Sequence, residues 1–68
     1  MVVYTWSSLV PGTSTVTLGK GIYTLTGPAE VYVGSIKICA SGKRFQVRQP
    51  GEYEVRLGRG MIELSVKD

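Results

Sequence analysis

Glu52 and Glu54 stand two residues apart, carry the side-chain type that glycosidases use in pairs, and share one face of an extended strand. They are the closest approach to catalytic machinery in this chain. Histidine is absent, which removes the commonest general base and the usual serine triad. The remaining carboxylates are Glu30, Glu63 and the C-terminal Asp68, and nothing around the five signals a raised pKa or a cleft. Cys39 is the sole thiol. Lys37 lies nearby, but no imidazole is present to activate it, so a packed or interfacial cysteine is the expectation. One cysteine excludes an internal disulfide, and with no histidine it leaves no ligand set for structural zinc. No metal, no cofactor and no catalysis are therefore expected.

Binding chemistry is better represented. Gly19-Lys20-Gly21, Gly42-Lys43-Arg44 and Gly58-Arg59-Gly60 each set a cation beside glycine, where backbone N–H groups and a positive side chain suit an anion. A phosphate loop proper runs into a helix, and none is expected here. Small β-barrels that bind nucleic acid combine such cations with exposed rings. Lys20, Lys43, Arg44 and Arg59 are the candidate contacts for that reading. Tyr4, Trp6 and Tyr32 are rings placed to anchor a protein interface, and Leu9 and Val10 are apolar in an otherwise polar, turn-forming stretch, Ser7–Ser14.

The elements that position these residues are strands. In Phe45–Val66 the residues Phe45, Val47, Tyr53, Val55, Leu57, Ile62, Leu64 and Val66 alternate with polar ones and fall on one face. Keeping apolar residues opposite one another sets Val47 against Tyr53, Phe45 against Val55, Val55 against Leu64 and Leu57 against Ile62. That register pairs Arg48 with Glu52, Arg56 with Glu63 and Glu52 with Lys67 on the outer face. Pro50 fits it poorly, because it disfavours the helical conformation that a three-residue hairpin tip wants at Gln49.

Upstream, Thr15–Leu18, Ile22–Leu25 and Glu30–Val33 repeat the grammar, with Val16, Leu18, Tyr23, Leu25, Val31 and Val33 on one side. Gly21–Leu25 echoes Gly51–Val55, Glu30–Val33 echoes Glu63–Val66, and Val16 and Leu18 fall against Phe45 and Val47. The chain thus divides into an N-terminal strand or arm (1–13), a first meander (14–33), a linking strand (34–42) and a second meander (43–68), within one all-β domain that resembles an internal duplication. Two units with one apolar face each must hide those faces against each other, as a small antiparallel sandwich or a partly open barrel of six to eight short strands.

Composition sets the partners. Sixty-eight residues bury a modest core, and with neither disulfide nor metal the expected stabiliser is a second subunit or a larger protein body. The net charge of +3 permits an anionic partner without demanding one. No apolar run reaches the 18 or so residues of a membrane helix, and no signal-peptide pattern opens the chain, so a cytoplasmic protein or one assembled into a virion is expected. The functional expectation is a non-enzymatic assembly protein that homo-oligomerises or docks on a larger assembly, such as a capsid-decoration or tail component of a virus or phage. The alternative is a small basic β-barrel binding nucleic acid through its glycine-flanked cations.

Overall fold

The computed structural model describes residues 1–67, so the expectations for Asp68 lie outside the described residues. Eight strands form: β1 (Val2–Ser8), β2 (Gly12–Leu18), β3 (Gly21–Thr26), β4 (Ala29–Val33), β5 (Ile36–Cys39), β6 (Arg44–Val47), β7 (Gly51–Leu57) and β8 (Gly60–Lys67). They make two four-stranded antiparallel sheets, ordered β1-β8-β3-β6 and β2-β7-β4-β5, packed as a sandwich. The sheets do not close into a barrel.

The pairings follow a simple rule. β1 pairs β8, β2 pairs β7, β3 pairs β6 and β4 pairs β5, as if the chain were folded in half at Gly34-Ser35. The doubled ribbon is then rolled so that β3 also meets β8 and β4 also meets β7. This is the strand order of an eight-stranded jelly roll. Every connection except β4–β5 passes from one sheet to the other.

The two meanders are therefore not formed. Phe45 faces Tyr23 rather than Val55, and Val47 faces Gly21 rather than Tyr53. Val55 lies between Ser14 and Val31, and Leu64 between Tyr4 and Leu25. The physical reason is closure. An isolated three-stranded meander leaves its whole apolar face wet, whereas crossing at each corner brings both faces together without changing which side chains point inward. Pro50 accordingly sits in a crossing between sheets, free of the hairpin-tip geometry it disfavours.

The sequence echo survives in a different form. Adding four to each strand number turns one sheet order into the other read backwards. The register obeys the same twofold. Gly21 faces Val47 while Gly51 faces Leu18; Tyr23 faces Phe45 while Tyr53 faces Val16; Leu25 faces Leu64 while Val55 faces Val31. Even the irregularities correspond, with a bulge in the β1–β8 pair at Val2/Tyr4 and another in the β4–β5 pair at Val31/Tyr32. The repeated unit is four strands that swap sheets.

The core contains Val16, Leu18, Tyr23, Leu25, Ala29, Val31, Cys39, Phe45, Val47, Val55, Ile62 and Leu64, with Tyr53, Leu57 and Val66 half-buried against it. Of the inward positions expected from alternation, only Val33 is exposed, at the free end of the β4–β5 hairpin. Phe45 joins the layers, stacking on Tyr23 in its own sheet at 5.6 Å and tilting onto Tyr53 of the other at 6.2 Å between centroids.

Candidate interaction surface

The carboxylates are engaged with their neighbours rather than gathered in a cleft. Arg56 Nε donates to Glu54 Oε1 at 3.0 Å, and Lys37 Nζ donates to Glu30 Oε2 at 3.3 Å. The Tyr32 hydroxyl donates to Glu30 Oε1 at 3.1 Å, and the Arg56 guanidinium lies 3.6 Å above the Tyr32 ring. These residues share the outer face of the β2-β7-β4-β5 sheet. The expected pairs of Arg48 with Glu52, Arg56 with Glu63 and Glu52 with Lys67 do not form, because the hairpins that would bring them together do not exist. Among the described residues Arg48 has no carboxylate partner and is freer than the meander register implies, whereas Arg56 exchanges Glu63 for Glu54.

The Tyr32 hydroxyl, and after it the Lys37 ammonium, hold the Glu30 carboxyl below its ordinary range. A depressed carboxylate contributes stability above its unfolded-state pKa and loses it as pH falls through the folded value. The melting temperature is thus expected to drop below the ordinary glutamate range, and Glu30→Gln to drop less steeply there. Parallel thermal scans of the two proteins from neutral to acid pH measure this; identical acid limbs would refute it.

Cys39 is buried on the inner face opposite Val31, with its thiol against the Ala40 carbonyl at 3.4 Å. Burial pushes the thiol up, away from the reactive thiolate. Strict alternation puts Lys37 and Cys39 on one side, but the bulge separates them: Lys37 is exposed opposite Tyr32, and Cys39 is inside. No group of three or more His, Cys, Asp or Glu side chains converges among the described residues.

The glycine-flanked cations are not all gathered at one end of the sandwich. Leu18 faces Gly51 and Gly12 faces Leu57, so the Lys20 corner and the Arg59 corner lie at opposite ends of the sandwich. The backbone donors beside two of these cations are already used. Gly42 N–H donates to Leu25 O at 2.8 Å, Lys43 N–H to Ala40 O at 3.1 Å, and Gly58 N–H to Pro28 O at 2.7 Å. Arg44 opens β6 opposite Thr24. An anion at the Gly42-Lys43 tip would meet side-chain charge rather than these N–H groups.

The aromatic and apolar candidates separate into two kinds. Tyr4 and Trp6 lie on β1 opposite Leu64 and Ile62, half-buried and stacked on each other at 5.7 Å with 13° between ring planes. They cover one edge of the core, and the first residues form a strand of the sandwich rather than a detached arm. Leu9 and Val10 are different: 87% and 67% exposed, they occupy the β1–β2 corner, where the Ser8 hydroxyl donates to the Val10 carbonyl. Met61, 62% exposed, lies toward the same end opposite Ser7. Sequence reasoning missed Met61 and also Ile36, 67% exposed near the opposite end. The signal for Met61 was its alternation out of phase with Ile62 and Leu64.

Two open depressions mark the surface. One is lined by Pro28, Glu30, Ala40, Ser41, Arg56 and Gly58. The other, lined by Gln46, Arg48, Gln49, Pro50 and Glu52, includes Glu52 but not Glu54, so the paired carboxylates do not face one cavity. No family model, curated protein or solved structure matches the chain. No helix is long and apolar enough to cross a membrane among the described residues.

Proposed function

We propose that this protein is a non-enzymatic assembly module, which self-associates or docks on a larger protein body. The observation that carries the reading is the apolar end formed by Leu9, Val10 and Met61, whose side chains stand in water on a domain too small to spare them. Covering them on a partner recovers roughly 25 cal/mol for each Å² of apolar surface removed from water. The finer expectation, an accessory component of a virus or phage particle, rests on architecture: jelly rolls recur in capsid proteins, though they also serve as lectins and cupins. A nucleic-acid role draws less support, since its cations are divided between the two ends and two of its three glycine tips have committed N–H groups.

Size-exclusion chromatography with light scattering, at low and high salt and with and without DNA or RNA, tests the reading. The expected result is an oligomer whose mass is insensitive to salt and which ignores nucleic acid. A monomer that binds nucleic acid with steep salt dependence overturns it. The double variant Leu9→Asp/Val10→Asp is expected to fold normally, because substitutions at such exposed positions usually change stability by no more than about 0.5 kcal/mol, and to associate more weakly.

A further inference from the structure

Four strands lie at sheet edges, and three of them are guarded against pairing with another chain. β1 is bulged at Val2/Tyr4, β5 is bulged and carries Lys37, and β6 is only four residues long and begins with Arg44. Bulges, charges and shortness are the usual protections of an edge. β2 has none of them. Its seven residues run in unbroken register along β7 and include no charge and no proline. Among the described residues one side chain bonds to its backbone, the Tyr4 hydroxyl at 3.3 Å from the Thr17 carbonyl. That is long for an O–H···O bond and readily displaced.

We propose that β2 pairs antiparallel with β2 of a second copy, across a twofold axis centred on Thr15, so that two sheets join into one. This rests on the assembly reading and names its surface. The outward residues Thr13, Thr15 and Thr17 are symmetric about the centre. The twofold sets Thr15 on itself and Thr13 on Thr17, a favourable cross-strand pairing with no like charges opposed. In β7, Arg56 flanks Thr13 and Glu52 flanks Thr17, so each row crossing an end of the seam runs from Arg56 in one copy to Glu52 in the other. Their strands are three spacings apart, roughly 14 Å, and long side chains of opposite sign lean toward each other across the threonines. The exposed corner is continuous with this edge: Val10 precedes β2 by two residues and comes into line with the second copy's Lys20. An extended peptide from another protein would gain the main-chain bonds but none of this symmetry.

Charge placed on the seam tests the axis. Thr15 and Thr17 face Glu54 and Glu52 within the chain, and Thr13 faces Arg56, so Thr15→Lys and Thr13→Glu/Thr17→Lys each gain a favourable neighbour and retain the fold. Across the twofold, Thr15→Lys opposes two like charges, whereas the double variant opposes unlike ones. Light scattering over a concentration series, with circular dichroism to confirm folding, is expected to give a dimeric wild type. Thr15→Lys should dissociate about fivefold more readily, by roughly 1 kcal/mol of like-charge repulsion, and Thr13→Glu/Thr17→Lys should remain dimeric. A folded Thr15→Lys that associates like wild type overturns the β2 seam and leaves the assembly reading standing. Loss of the dimer in both variants overturns the Thr15-centred register. A wild type that is monomeric throughout, alone and at high concentration, overturns this inference together with self-association.

Discussion

Gly27→Ala is expected to destabilise the protein by roughly 2–5 kcal/mol, the sum of about 1–2 kcal/mol for a left-handed backbone and about 1–3 kcal/mol for overpacking. Gly27 has φ +99°, and a Cβ there would overlap the Met61 carbonyl oxygen and stand 3.0 Å from Ile62 Cα. Both obstacles are backbone atoms of β8, a central strand of its sheet, so neither can move aside without disturbing that sheet. In a domain of this size each kcal/mol lowers Tm by about 4–8 °C, so a fall of at least ~8 °C is expected. Gly34→Ala is the control. Gly34 also has positive φ, +60°, but nothing lies within 4 Å of its Cβ position at the β4–β5 turn. It should lose about 1–2 kcal/mol from the backbone alone. Equal losses in the two variants, by thermal or urea unfolding, would remove the close approach of the β3–β4 corner to β8.

Leu64→Ala should cost about 2–5 kcal/mol, as large-to-small changes at fully buried sites do. Leu64 is fully buried and lies in register between Tyr4 on β1 and Leu25 on β3, so its removal opens a void beneath two strands. A protein of this length holds only about 0.05–0.15 kcal/mol of stability per residue, so that loss is a large fraction of the whole. Met61→Ala, three residues earlier on the same strand but 62% exposed, should stay within about 0.5 kcal/mol. The pair separates the two faces of β8. Comparable losses would mean that the sandwich does not bury the face assigned to it.

That face is legible in the amino-acid sequence. Alternation identifies the inward side of the strands that carry no bulge, because successive side chains there point to opposite faces whatever lies alongside. The same alternation is blind to the neighbour. Phe45 can satisfy its inward requirement against Val55 in a hairpin or against Tyr23 across the roll, and its neighbours in sequence are the same in both. Charge complementarity misleads for a related reason. Pairs such as Arg56 with Glu63 are worth at most about 1 kcal/mol on a surface, too little to choose a topology, and alternating cations and carboxylates match in more than one register. The bulge at Ile38 is likewise invisible in the sequence, since it is a feature of the β4–β5 pairing, in which Cys39 faces Val31 and Lys37 faces Tyr32.

For the surface, residue types locate the candidates, and only packing sorts them. Leu9 and Val10 look no more apolar in the chain than Tyr4 and Trp6, yet the first pair stands in water and the second covers Ile62 and Leu64. Glu52 and Glu54, the nearest approach to catalytic chemistry by residue type, share a strand face but not a cavity, and Glu54 is held by Arg56. What the amino-acid order determined by itself was local: the strands, their inward sides, the turn positions and the echo between the two halves. What the tertiary structure alone decided was long-range: which strands meet, which edges remain open, and which cations lie at which end. Local preferences act within a few residues, whereas strand partners are chosen by closing the whole apolar surface at once.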